Sequence, residues 1–137
     1  MDKYSLFTDA GSRGNPGKAS YGVCLFKKDH GIDKLLDFDG RYLGIKTNNQ
    51  GEFTALKEGI TLAIKHNIKN LDCFSDSELL IKQINHEYKV KDPHLKGIIK
   101  EIYDLSGNFD TITFTHVRRE YNKFADKMVN IVLDAAG

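Results

Sequence analysis

The sequence predicts an α/β fold in which one mixed five-stranded sheet is flanked by helices. Two observations lead there. Short apolar or alternating runs occur near residues 4, 20, 33, 71 and 112, whereas the segments between and after them repeat their apolar residues at helical spacing. The resulting order is three strands, then helix, strand, two helices, strand and helix. Such an order calls for a sheet that begins as an antiparallel meander and takes in its later strands through helical crossovers.

Tyr4 to Thr8 form the first predicted strand, ending at Asp9, so a buried strand delivers a carboxylate to the surface. From Gly11 to Gly17 the chain holds three glycines, one proline and one asparagine, a composition that turns sharply and lets backbone approach a ligand closely. Ser20 to Phe26 return as a second strand, Lys27 to Gly31 turn, and Asp33 to Leu43 alternate as a third. From Asn49 the period changes: Phe53, Leu56, Ile60 and Ala63-Ile64 share one helical face, ending near His66-Asn67. Leu71 to Phe74 make a strand that ends at Ser75-Asp76-Ser77, and a helix with Leu79, Leu80 and Ile84 follows. Asp92-Pro93 open another helix, proline being suited to the first position, with Leu95, Ile98, Ile99 and Ile102 on one face and Gly107-Asn108 as its stop. Ile112, Phe114 and His116 alternate on the fifth strand. Tyr121 to Ala135 read as a last helix packed through Phe124, Met128, Ile131 and Val132.

A chain of 137 residues without repeat or linker fits one domain, residues 1–137. The formal net charge of +1 gives no global drive toward nucleic acid or anionic lipid, so any basic footprint must be local. No apolar run approaches a membrane span, and no secretory pattern precedes the first strand, so a soluble, cytoplasmic, monomeric protein without membrane contact is expected. Cys24 and Cys73 have neither CxxC nor Cys/His spacing and read as buried free thiols.

The placement of four acids carries the functional information. Asp9 ends strand one, Glu52 lies in the first turn of the first helix, Asp76 ends strand four, and Asp126 lies in the first turns of the last helix. At element ends, side chains from distant segments can converge. Taken singly, each has a structural explanation as helix acid, cap or solvated residue. Together, without lysine partners, they would repel strongly, and divalent cations relieve that repulsion. Oxygen ligands with no histidine or cysteine nearby suit Mg²⁺ or Mn²⁺.

With these pieces in order the chain resembles a type 1 ribonuclease H. The matching motifs are Asp9-Ala10-Gly11-Ser12 with Gly14-Asn15-Pro16-Gly17, Thr47-Asn48-Asn49 with Glu52, Asp76-Ser77, and Asn122 with Ala125-Asp126, covering roughly residues 4 to 134. The resemblance implies a ribonuclease H-like fold and metal-dependent endonucleolytic hydrolysis of the RNA strand of RNA–DNA hybrids, leaving 5′-phosphate products. It implies two metal ions on Asp9, Glu52, Asp76 and Asp126, with Asp9 as the bridging ligand. Ser12, Gly14, Asn15, Asn48 and Asn49 match positions that meet the hybrid's minor groove, and Thr47 and Asn122 match positions that hold a DNA phosphate. Capping is an equal explanation for Asn49.

Three departures from the family pattern stand out. Glu78 occupies the substrate-binding position where well-known members carry glutamine. The chain has no tryptophan and no basic, Trp-bearing insertion; Lys82, Lys89, Lys91, Lys96 and Lys100 occupy that region, either as a weaker handle or as a solvated helix face. The mobile histidine that many members carry before the last acid has no counterpart in the short Val117 to Asn122 connection, where Arg119 is the expected catalytic loop cation and Arg118 the alternative. Relaxed substrate choice including double-stranded RNA, or a catalytically weak nucleic-acid-binding protein, are the alternative readings.

Overall fold

Residues 2–137 are described by a computed structural model. The elements run β1 (Lys3–Gly14), β2 (Gly17–Asp29), β3 (Ile32–Lys46), α1 (Asn48–Lys65), β4 (Asn70–Ser75), α2 (Glu78–Ile84), α3 (Pro93–Ser106), β5 (Thr111–His116), a 3-10 turn (Arg119–Tyr121) and α4 (Lys123–Ala135). Every expected element is present, in the expected order. The five strands make one mixed sheet in the order β3-β2-β1-β4-β5, antiparallel from β1 to β3 and parallel from β1 through β4 to β5.

The sheet is buried unequally on its two faces. On one face α1 lays Phe53, Leu56, Ile60 and Ala63 against Leu6, Tyr21, Val23 and Leu25, with α2 and α3 contributing Leu80, Ile84, Ile99 and Ile102 to the same core. On the other face α4 crosses β1, β2 and β3 at Gly11, Gly22 and Gly40. A Cβ on Gly22 would stand 2.5 Å from the Ala125 carbonyl, and one on Gly40 would stand 2.6 Å from Met128. The helix therefore sits closer than ordinary side chains allow, and Ser20 Oγ donates to the Val129 carbonyl at 2.8 Å across the contact. Because β2 is covered on both faces, Ala19 to Leu25 are all buried. Both cysteines are free and buried, as expected. Among the described residues no helix is long and apolar enough to cross a membrane.

Several boundaries differ from the sequence reading. β1 does not stop at Thr8 but runs to Gly14, because its pairing with β2 continues to Gly14↔Gly17 after its pairing with β4 has ended at Thr8↔Ser75. The cap of α1 is Thr47, not Asn49: Thr47 Oγ1 accepts from the Gln50 N–H at 3.1 Å, and Gln50 Oε1 accepts from the Thr47 N–H at 2.9 Å, a reciprocal capping box. Glu52 consequently lies beyond the first turn. The last helix begins at Lys123, and its buried stripe is Ala125, Val129 and Leu133. Phe124 and Ile131 are instead 67 % and 53 % exposed, and Leu79 of α2 is 46 % exposed. The close approach of α4 to Gly22 and Gly40 seats Ala125, Met128 and Val129 against the sheet and leaves Phe124 and Ile131 on the outward side.

Candidate active site

β1 and β4 share a parallel ladder up to Thr8↔Ser75 and then part, β1 staying with β2 while β4 ends. A crevice opens where parallel neighbours diverge at their carboxyl ends. Asp9, the next residue of β1, and Asp76, the first residue after β4, thus flank that crevice. Glu52 reaches it from the opposing helix α1, held from two sides: the Ala10 N–H donates to Glu52 Oε1 at 2.7 Å and Ser75 Oγ to Oε2 at 3.5 Å. Ligand oxygens of Asp9, Glu52 and Asp76 all lie within 4.8 Å of one another. Asp126, in the first turn of α4, lines the same cleft of about 420 Å³, together with Ser12, Asn48, Ser77 and Arg119.

Burial and mutual repulsion shape the electrostatics. Burial, then the charges of Asp76 and Asp126, push Asp9 up to about 7. Glu52 is raised well above the usual carboxylate range by burial and then by Asp9. Burial also raises Asp76, against the opposing pull of the Arg119 guanidinium and the Asn122 side chain. Among the described residues lining the cleft, Arg119 alone is basic and stands against four carboxylates, so their full ionisation needs further positive charge from outside. Converging carboxylate oxygens without nitrogen or sulfur donors fit a hard divalent ion of the Mg²⁺ or Mn²⁺ kind.

The other predicted residues fall into two groups. Arg119 lines the cleft, whereas Arg118 faces Glu120 with 3.7 Å between charged atoms. In the β1–β2 turn, Gly14 adopts φ +100°, a conformation that only glycine takes without strain, and Asn15 Oδ1 accepts from the Asn48 N–H at 3.0 Å. This bond ties the turn to the start of α1. Ser12 Oγ donates to the Lys46 carbonyl at 3.0 Å, fastening the same turn to β3. Thr47 spends its hydroxyl on the helix cap. Asn49 donates to Gln83 Oε1 at 3.3 Å. Asn122 is 1 % exposed and donates to the Thr8 carbonyl at 2.8 Å, so it pins the loop carrying Arg119 to β1 and does not offer its amide to solvent. Glu78 is exposed and paired with Lys82 at 3.0 Å; Lys82 in turn lies 5.0 Å from the Tyr88 ring. His116 ends β5 and is exposed. Sequence reading gave no role to the Ala10 N–H or to Ser75, whose hold on Glu52 depends on how β1, β4 and α1 come together and leaves no mark on sequence spacing; Ser77 caps α2 by accepting from the Leu80 N–H at 3.2 Å.

A family model described as reverse transcriptase-like matches residues 7–132. The chain is 34 % identical over 134 residues to the bifunctional protein Rv2228c of Mycobacterium tuberculosis, covering 98 % of this chain and 36 % of that protein. It thus spans about a third of the length of that curated relative. The RNase H1 of the halophilic archaeon Halobacterium salinarum superposes with a TM-score of 0.91 at 32 % identity, over 97 % of this chain and 98 % of that one. The chain belongs to the type 1 ribonuclease H family. LC11-RNase H1, solved in complex with an RNA/DNA hybrid, is similar at TM-score 0.87 and 33 % identity, over 97 % of this chain and 98 % of that one. Against the ribonuclease H pattern, the departure at Glu78 takes physical form here as a carboxylate already neutralised by its own helix through Lys82.

Proposed function

We propose that this chain is a divalent-metal-dependent endonuclease that cuts the RNA strand of RNA–DNA hybrids and leaves 5′-phosphate ends. The carrying observation is the convergence of Asp9, Glu52 and Asp76 within 4.8 Å in a cleft shared with Asp126 and Arg119. The structure of the similar LC11-RNase H1 with an RNA/DNA hybrid supports the substrate. On this reading residues 1–137 form a single catalytic domain.

Asp9, Glu52, Asp76 and Asp126 would together hold Mg²⁺ or Mn²⁺, two ions on this reading, and the chemistry such ions would supply is activation of water and relief of charge on the departing 3′-oxygen. The protein's part is positioning. Ala10 and Ser75 aim the Glu52 carboxylate, and Asn122 fixes the loop from which Arg119 reaches the cleft. Arg119 places a guanidinium where it can hold a phosphate oxygen of substrate or product. Asn15 and Asn48, joined by their mutual bond, present short polar groups with Ser12, Gly14 and Asn49 toward a shallow minor groove, where 2′-hydroxyls distinguish RNA from DNA. Thr47, at the start of α1, lies beside them. Glu78 contacts the substrate as a neutralised pair with Lys82, and the exposed Lys89, Lys91, Lys96 and Lys100 supply a modest phosphate-tracking surface.

The test is incubation with end-labelled hybrid, double-stranded RNA and double-stranded DNA, each with Mg²⁺, Mn²⁺ or chelator. Cutting confined to the RNA of the hybrid and lost in chelator is the expected result. Undiminished cutting in chelator, or by a folded Asp9→Asn variant, would refute the proposal; cleavage of double-stranded RNA as well would establish the relaxed substrate choice.

A further inference from the structure

On the reading that the hybrid is the substrate, we propose that Glu78 favours cut sites with guanine at one fixed position, by accepting a hydrogen bond from the guanine N2 amine in the hybrid's minor groove. Glu78 is the first residue of α2 and follows Ser77, which caps that helix and lines the carboxylate cleft. Helical side chains lean back toward the helix N-terminus, so Glu78 projects from the cleft end of α2. Its side chain is 64 % exposed, and it stands outside the four acids that line the cleft.

One oxygen of this carboxylate is engaged and the other is open to a ligand. Glu78 Oε1 stands 3.0 Å from Lys82 Nζ. Lys82 is its one ion-pair partner among the described residues. Lys82 is itself held: its ammonium donates to the Tyr88 hydroxyl at 3.4 Å and lies 5.0 Å from the centre of the same ring. Tyr88 and Lys82 thus order the acceptor before a ligand arrives, which lowers the ordering cost of binding. Lys82 also offsets the carboxylate charge at longer range, so the pair does not drive off a phosphate strand, while Oε2 keeps its lone pairs for a donor at contact. The other charges nearby are His116, which ends β5 opposite Ser75, and Asp76 and Arg119 within the cleft.

The balance of donors and acceptors selects the partner. An exposed carboxylate is ionised near neutral pH and only accepts, whereas a glutamine at this position would also donate. In the minor groove every base pair shows N3 or O2 acceptors, which a glutamine amide satisfies without regard to sequence. A carboxylate is repelled by those lone pairs, and the one base-edge donor in that groove is N2 of guanine. The hybrid also offers 2′-hydroxyls, but each sits on the carbon next to the one bearing the 3′-phosphate, where an anion meets repulsion. The guanine amine lies on the floor of the shallow groove, between the two backbones. Neighbouring polar residues do not compete for it: Asn15 spends its oxygen on the Asn48 N–H, and Thr47 Oγ1 accepts from the Gln50 N–H.

The experiment cuts short hybrids in which guanine is replaced by hypoxanthine (inosine), one position at a time in either strand; inosine keeps the pairing with cytosine and lacks only the N2 amine. At one position relative to the cut, inosine should lower kcat/KM about five- to tenfold, and 2,6-diaminopurine in place of adenine at that position, which adds the amine, should raise it. The inosine effect should vanish in Glu78→Ala and shrink in Glu78→Gln, whose amide accepts as well as donates. Binding is read separately by fluorescence anisotropy of labelled hybrid on Asp9→Asn: Kd should show the same inosine dependence, lost when Glu78→Ala is added. Cutting with no inosine-sensitive position, an inosine effect that survives Glu78→Ala, or a Glu78 dependence that follows single 2′-deoxy substitutions and not inosine would overturn the role of Glu78 and leave the nuclease reading standing. Absence of both cutting and binding of hybrids would overturn the two together.

Discussion

Replacing Asp9 by asparagine is expected to stabilise the metal-free protein near neutral pH while abolishing its metal response. Asp9 is 6 % exposed, and burial with its acidic neighbours moves it from the ordinary 3.8 to about 7. At about 1.4 kcal/mol per tenfold change, full ionisation costs about 4 kcal/mol, an amount shared with Glu52, since one proton taken up by the cluster relieves both. The unfolded chain releases this proton near 3.8, whereas the native chain keeps it to about 7, so the native state binds more protons between those values. Wild-type stability in chelator therefore falls as pH rises from about 4 to about 7 and levels off above. In Asp9→Asn that fall should shrink, giving a gain of roughly 2–4 kcal/mol at about pH 8, or roughly 6–12 °C in Tm for a domain of this size. No gain is expected below about pH 4, where both proteins carry a neutral side chain. Saturating Mg²⁺ should reverse the order, adding about 2.7 kcal/mol to the wild type at a concentration of about 100 Kd and little to the variant. Thermal melts in chelator and in Mg²⁺ across this pH range are the assay. A pH-independent wild-type Tm in chelator, or a variant no more stable than wild type at about pH 8, would refute the reasoning.

Arg119→Ala should lower kcat by about ten- to a hundredfold, roughly 1.4–2.7 kcal/mol, with Tm unchanged; Arg118→Ala, which loses only an exposed contact with Glu120, should leave both alone in side-by-side turnover and melting measurements. Gly22→Ala forces a methyl group toward the Ala125 carbonyl and Met128, so denaturant unfolding should show a loss of about 1–3 kcal/mol, with reduced kcat because the helix turn carrying Asp126 is displaced. Gly97→Ala in α3, where nothing lies within 4 Å of the added atom, should instead stabilise by about 0.5–1 kcal/mol in the same experiment. Asn122→Ala removes the donor to the buried Thr8 carbonyl and should cost about 1–3 kcal/mol by chemical denaturation.

Local periodicity and the positions of four acids were enough to determine the α/β class, the order of all the elements and the residues to watch. Hydrophobic spacing reports which side of a helix or strand is buried, and turn composition reports where the chain reverses; both are local properties. What local spacing could not determine was depth and approach. Phe124, Met128, Ile131 and Val132 share a helical face by spacing, but the close approach of α4 to the glycines across β1, β2 and β3 seats Ala125, Met128 and Val129 on the sheet and leaves Phe124 outward. Thr47 displaced Asn49 as the cap of α1 because Gln50 stands three residues after it and completes the reciprocal pair. Asn122, which reads as a surface amide, is drawn under the loop by a carbonyl 114 residues earlier in the chain. The convergence of Asp9 and Asp76 belongs to the same class of fact. It depends on β4 pairing in parallel with β1 in one register, with Ser75 opposite Thr8, and a slip of one residue would send the acids to different faces. Sequence named the acids; the strand register and the glycine-lined seat of α4 brought them to one cleft, because both are contacts between segments far apart in the chain.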